Sequence, residues 1–249
     1  MTYYQQLQII KQCVNDALLS LKEVVIDIKD DNNLVTSTDI HIEKSLIKTI
    51  KQHFPQDLIL SEEFNNHRNL QGRTWIIDPI DGTSNYAAGL KDYCVQVALW
   101  ENDQLVLSYI NVFPQQKEYY AIVNEGAYLN GQRIYATTNK VLSNALMSFI
   151  GSFRLQKNMH ELPYDILQTA INANMKVRIL GSVGVEMALM AEGVYSALYT
   201  PITNIYDVAP GFLLMKEAGC LIRNEKNYQL GADVLFVFGN ETLSSEFDV

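Results

Sequence analysis

The sequence predicts a layered fold of helices packed on sheets, in the α/β to α+β class. Three observations carry that expectation. Two amphipathic segments with helical periodicity open the chain, a block of short apolar strand patterns follows between residues 58 and 123, and helical and strand patterns interleave again after about residue 139. Of the 249 residues 48% are apolar and 19% charged, an ordinary globular balance with enough apolar mass to bury a large core.

The elements follow in order. Leu7, Ile10, Val14, Ala17, Leu18, Leu21 and Val25 recur at three- and four-residue steps, one face of a first helix that Asp30 to Asn33 interrupts. A second helix starts near Asp39 and gathers Ile42, Leu46, Ile47, Ile50 and Phe54 on one face, with Pro55 as its stop. The short apolar runs Leu58 to Leu60 and Thr74 to Ile77 read as strands that end on acids. Val95 to Trp100, Leu105 to Phe113 and Glu118 to Val123 form a meander, and Asn130-Gly131 marks a hairpin. Helical patterns at 163–173 and 184–192 alternate with strands at Val177 to Leu180 and Ser196 to Leu198. A third well-marked helix follows Asp207 and closes at Gly219, and Val234 to Phe238 is a last apolar run. Residue 139 divides the chain into halves 1–138 and 139–249, expected to act together as one unit.

Charge and cysteine usage narrow the function. Nineteen basic and 28 acidic residues give a net charge of −9, and no basic run is present. Such a chain is repelled by nucleic-acid backbones and anionic membranes, whereas clustered carboxylates attract cations. Cys13, Cys94 and Cys220 are odd in number and lack CxxC spacing, which fits a reducing compartment better than a disulfide framework. No apolar run approaches the ~18 residues of a membrane span, and the first residues do not read as a signal peptide, so a soluble cytoplasmic protein is expected.

The most informative segment is Trp75-Ile76-Ile77-Asp78-Pro79-Ile80-Asp81-Gly82-Thr83. A strand delivers Asp78 at its end, Pro79 is expected to force a turn, and Gly82-Thr83-Ser84 can open a helix. Two carboxylates beside free backbone N–H groups suit a metal together with a phosphate. Two residues separate these acids, so the register differs from the Asp-x-Asp-Gly-Thr of haloacid dehalogenase phosphatases. Three further signals are weak alone: Ser61-Glu62-Glu63 after an apolar run, Val35-Thr36-Ser37-Thr38-Asp39 at a helix start, and Tyr206-Asp207-Val208-Ala209-Pro210-Gly211, where Asp207 reads as an N-cap and Pro210 as a first-turn proline. His41, His53, His67 and His160 pair with none of these motifs and read as surface or structural.

Taken in order, these four motifs closely resemble the inositol monophosphatase family over nearly the whole chain, to about residue 240. The resemblance implies an αβαβα sandwich of the inositol monophosphatase and fructose-1,6-bisphosphatase type, usually dimeric. It implies a lithium-sensitive, magnesium-dependent phosphomonoesterase with two or three Mg2+ per site. Glu62, Asp78, the Ile80 carbonyl, Asp81 and Asp207 would hold metal. Gly82, Thr83 and Ser84 would meet the phosphate, and Asp39 with Thr83 would take a proton from the attacking water that Glu62 also serves through its metal. Gly181, Ser182, Glu186 and Thr200 fall on the substrate side, Glu186 being balanced between a substrate contact and a solvated helix face. Thr200 stands where inositol-cleaving members carry an acid, and Ser84-Asn85-Tyr86 lacks the basic-acidic pair of the adenosine-bisphosphate branch. A small sugar, polyol or nucleotide phosphate is therefore expected, with fructose-1,6-bisphosphatase or NADP phosphatase activity as alternatives. A rival of another class is a protein partner of the transcription machinery.

Overall fold

The computed structural model describes residues 1–21, 25–28, 34–65, 70–150, 164–201, 203–245 and 247. Its backbone is two sheets interleaved with three helical layers. A seven-stranded sheet takes β3 (Leu58–Ser61), β4 (Thr74–Asp81), β5 (Cys94–Glu101), β6 (Gln104–Val112), β7 (Lys117–Ile122), β8 (Gly126–Leu129) and β9 (Gln132–Ile134) in chain order. Its β3–β4 pair is parallel and the rest is an antiparallel meander. The hairpin signal is real: Asn130 and Gly131 both take positive φ, 49° and 82°, which the tight β8–β9 turn requires. A five-stranded sheet runs in the order β11 (Lys176–Arg178), β10 (Leu146–Phe149), β12 (Ala197–Thr200), β14 (Leu235–Phe238), β13 (Leu221–Ile222).

Helix α1 (Tyr3–Leu19) and helix α2 (Ser37–His53) bury Leu7, Ile10, Val14, Ile42, Leu46 and Ile50 against Trp75, Ile77, Val95 and Val97 of the large sheet. On the opposite face, α5 (Val183–Ala191) and α6 (Ile205–Glu217) share one core with Ile76, Ala98 and Ile110 of that sheet and with Leu198, Leu235 and Val237 of the small one. Ala170 of α4 (Tyr164–Asn172) and Leu243 of α7 (Glu241–Ser245) cover the outer face of the small sheet with Phe247. The αβαβα order follows. Helices α5 and α6 are apolar nearly all round because they lie between sheets.

Local chemistry corrects four expectations. Helix α1 stops at Leu19, capped by Ser20, and Ile26–Ile28 pairs antiparallel with Leu34–Thr36 as a small hairpin, β1 with β2, so Val25 lies outside the helix. Pro79 does not end its strand. The pairing with β3 has already finished at Ser61↔Ile77, and the β5 ladder skips from Asp78↔Gln96 to Asp81↔Cys94, so proline sits in a bulge where no ladder needs its missing N–H. Asn204, not Asp207, caps α6, and Asp207 is the third helical residue. Pro210 consequently lies inside the helix, one turn later than the sequence implied. Gly219, φ +85°, does close α6: its N–H reaches Lys216 O and the Cys220 N–H reaches Met215 O, both at 3.0 Å.

Candidate active site

The bulge at Pro79 brings Asp78 and Asp81 to one end of the large sheet. Gly82 follows at φ +86° and caps the short helix α3 (Thr83–Ala87). Only glycine fits there, because a Cβ would lie 2.9 Å from the Asp92 carbonyl and 3.0 Å from the Ser182 Cβ. Ser84 is exposed in the first turn of α3. The Thr83 hydroxyl donates to the Ile80 carbonyl at 2.8 Å and lies 3.3 Å from Asp39 Oδ1.

Asp39 reaches this point from α2. It is the third residue of that helix and is fully buried, and its Oδ2 accepts from the Thr36 amide at 2.8 Å and the Thr36 hydroxyl at 2.5 Å. Burial holds its carboxyl above the usual range against the pull of those hydrogen bonds. Glu62 stands half-buried in the turn after β3, with its amide donating to Ile77 O at 3.3 Å. Asp207 comes from α6, which docks on the sheet through Ser108 Oγ donating to Pro210 O at 2.6 Å and Gln96 Nε2 donating to Asp207 O at 3.2 Å.

Asp78 is the electrostatic centre. It is buried, and its Oδ1 has no hydrogen-bond partner. Its pKa is pushed well up, first by desolvation and then by the charges of Glu62, Asp81, Asp207 and Asp39. Like charges about 4 Å apart repel by roughly 4 kcal/mol at an effective dielectric near 20, so such a group is costly unless a cation joins it. Among the described residues, no three such side chains close on a common point as a metal cage. Asp81 is turned toward Ser182 Oγ, the Gly184 amide at 2.7 Å and the Val183 amide at 3.1 Å, and Asp207 Oδ2 toward the Asn204 amide at 3.1 Å. The acids therefore share a field rather than a point. Their hard oxygen donors and the orphaned Asp78 oxygen fit a divalent cation.

One substrate-side alternative is corrected: Glu186 does not lie on a solvated helix face. It is fully buried beneath the Leu180–Ser182 turn and accepts from Ser148 Oγ, the Leu180 amide at 2.7 Å and the Gly181 amide at 3.1 Å, with burial pushing its pKa up to about 7. Thr200 is fully buried too, its hydroxyl donating to Pro201 O at 3.3 Å. Gly181 remains exposed at φ +82°, and Ser182 caps α5.

Sequence reasoning passed over Glu43 and Asn85. Glu43, one helical turn beyond Asp39, is fully buried and accepts from Ser61 Oγ at 2.5 Å, the Phe64 amide at 2.9 Å and the Glu63 amide at 3.0 Å, which fixes the turn that bears Glu62. The signal was present: Glu43 directly follows Ile42 beside the apolar stripe of α2. Asn85 Nδ2 ties α3 to the carbonyls of Asp92, at 2.7 Å, and Leu180, at 2.8 Å; no short motif marks it. Of the histidines, His41 meets Ser20 Oγ and His53 meets the Thr49 carbonyl, while His67 and His160 lie outside the described residues. All three cysteines are free.

An αβαβα sandwich that sets one buried carboxylate in the field of four other acids, beside a glycine-opened turn, defines a class of cation-assisted phosphate chemistry. Comparison with known proteins makes this specific: residues 2–237 match the Inositol monophosphatase family model, and the chain belongs to that family. A fructose-1,6-bisphosphatase/inositol-1-monophosphatase of Thermotoga maritima is 28% identical over 86% of this chain and 80% of its own length. A Nus factor SuhB of Xylella fastidiosa is 31% identical over 77% and 69%. Among solved structures, a staphylococcal inositol monophosphatase-1 in a lithium-soaked inhibitory complex superposes with TM-score 0.82 at 25% identity, over 99% of this chain and 94% of that one. An IMPase/NADP phosphatase complexed with Mg2+ and phosphate gives 0.81 at 25% identity, over 100% and 97%. The protein is a phosphoric monoester hydrolase. No helix among the described residues is long and apolar enough to cross a membrane.

Proposed function

We propose that the protein is a Mg2+-dependent phosphomonoesterase acting on a small sugar, polyol or nucleotide phosphate. The observation that carries this reading is Asp78, a buried carboxylate with an unpartnered oxygen among four other acids. In this reading Glu62, Asp78, the Ile80 carbonyl, Asp81 and Asp207 hold the cations, two or three in number. Bound there, a divalent cation supplies acidity to a water and neutralises charge on the leaving oxygen. The Gly82, Thr83 and Ser84 segment receives the phosphate. The Thr83 hydroxyl lies between Ile80 O and Asp39 Oδ1, so it can pass a proton from the attacking water to Asp39, whose raised pKa suits it as acceptor. The Gly181–Ser182 turn meets the remainder of the substrate. Glu186 is turned inward and Thr200 carries a hydroxyl rather than an acid, so neither offers a carboxylate to sugar hydroxyls, which favours a substrate other than inositol phosphate. A homodimer belongs to the same proposal and is read by light scattering.

The test is inorganic phosphate release from a panel of inositol, fructose-1,6-bis-, glycerol and nucleoside phosphates, adenosine bisphosphate and NADP, with Mg2+ and with chelator. Mg2+-dependent release from any member supports the reading and the ranking names the substrate. A folded, Mg2+-binding protein silent on all of them refutes it. One observation favours a second reading: the 31% identical relative is called a Nus factor. Under that protein-partner reading, Asp81→Asn still complements a deletion phenotype.

A further inference from the structure

Glu186 is a carboxylate that the proposed reaction does not use and that the fold nevertheless buries completely. Both its oxygens are engaged. Oε2 accepts from Ser148 on β10, and Oε1 accepts from the Leu180 and Gly181 amides. A glutamate in the first turn of α5 thus clamps the loop that precedes its own helix to a strand of the small sheet. A buried acid costs more than a well-packed apolar residue of similar volume, so general stability is a poor reason for its presence.

What it holds is a turn with three attachments. Asn85 Nδ2 grips the Leu180 carbonyl from the side of α3 at 2.8 Å. Ser182 Oγ and the amides of Val183 and Gly184 reach Asp81. The turn also abuts Gly82, whose missing side chain would meet the Ser182 Cβ at 3.0 Å. A ligand with its phosphate at Gly82 therefore has the exposed Gly181 backbone as its next wall.

We propose that Glu186, locked by Ser148, is a positioning residue that fixes the Gly181–Ser182 turn as the wall against the non-phosphate half of the substrate. The inference rests on the phosphomonoesterase reading and assigns within it a division of labour. The cations and Gly82 govern phosphate, and Glu186 governs the leaving group through the turn that it ties to Ser148.

The experiment compares the wild type with Glu186→Gln, which keeps the volume but only one acceptor oxygen, and with Ser148→Ala, which removes one of three donors. For each, KM and kcat are measured on the best panel substrate, with the inhibition constant of inorganic phosphate and the rise in Tm on adding Mg2+. Loss of one charge-assisted hydrogen bond predicts a KM roughly threefold to tenfold higher in Glu186→Gln, with a smaller rise in Ser148→Ala. The phosphate inhibition constant stays within about twofold, which a merely structural loosening would not achieve, while the Mg2+ response reads how far the change reaches Asp81 through Ser182 and Gly184. Unchanged KM in both folded variants overturns the proposal, as does a phosphate inhibition constant that rises in step with KM. If Glu186→Gln does not fold, Ser148→Ala decides alone by the same criteria. A wild type that hydrolyses no panel member overturns the parent reading and this one together, whereas an active wild type with unaltered variants overturns only this one.

Discussion

Replacing Asp78 by Asn separates the cost of the site from its use. In the metal-free protein the Asp78 carboxylate is desolvated, lacks a partner for Oδ1 and faces the charges of Glu62, Asp81, Asp207 and Asp39. Asparagine keeps the shape, removes the charge and offers an N–H2 to neighbouring acids. Relieving an uncompensated buried charge stabilises by about 1–3 kcal/mol. In a chain of 249 residues, each kcal/mol moves Tm by roughly 2–4 °C, so Asp78→Asn in EDTA at about pH 8 melts roughly 2–12 °C above the wild type. Magnesium reverses the order. A cation at 100 times its Kd adds about 2.7 kcal/mol to the wild type, and Asp78→Asn loses most of that gain along with its phosphate release. The assay is differential scanning calorimetry in EDTA and across a Mg2+ titration. A variant that melts below the wild type without metal, or gains as much from Mg2+, refutes the placing of the cation at Asp78.

Three other outcomes follow from the same structure. Gly184→Ala puts a Cβ 2.5 Å from Gln96 Cδ and 2.7 Å from Cys94 Sγ, and the overpacking costs about 1–3 kcal/mol in urea unfolding. Glu43→Ala strips an acceptor from the Ser61 hydroxyl and the Glu63 and Phe64 amides; it destabilises by roughly 2–4 kcal/mol and weakens the Mg2+ response through the Glu62 turn, while Glu43→Gln is milder on both counts. The pKa values of Asp39, Glu43, Asp78, Asp81 and Glu186 are all raised, that of Glu186 to about 7. Their protonation therefore stabilises the metal-free fold at pH below about 4, and the contribution is lost as pH rises through the folded values. Melting temperature in EDTA is expected to fall between about pH 5 and 8, with the Mg2+-induced rise growing over the same window; a flat profile would mean that burial does not raise these carboxyls in the folded protein.

The sequence made most elements legible because their periodicity is strong and their ends are chemically marked. Gly219 and Asn130-Gly131 stand where positive φ is needed, and the apolar stripes of the first two helices point where the core lies. What it hid depends on partners distant in the chain. Pro79 looked like a strand end because its local chemistry forbids a ladder, and only the early finish of β3 and the bulge against β5 reveal that no ladder is asked of it. Asp207 looked like a cap, but Asn204 starts the helix earlier and moves Pro210 into its interior. Asp78 and Asp81 were visible because they share one short, distinctive stretch, and Glu62, Asp39 and Asp207 only through the order of their motifs along the chain. Glu43 and Glu186 were not read for what they do, since a lone glutamate on a helix is ordinarily solvated, and nothing local announces that Ser61 or Ser148 lies across from it.

These two glutamates explain how a cluster of repelling acids can be held ready for a cation. Glu43 and Glu186 each carry a serine hydroxyl and two backbone amides, and each sits under a turn rather than within the cluster. One turn presents Glu62; the other presents Ser182, Val183 and Gly184 to Asp81. Neither turn could be fixed by apolar packing alone, because its amides need acceptors, and in the proposed reading its outer face stays open to ligand. A carboxylate satisfies several donors from beneath while leaving that face free. The fold thus holds two kinds of buried acid: Asp78, with an unpartnered oxygen that the proposed cation would meet, and Glu43 and Glu186, fully engaged beneath the turns beside it.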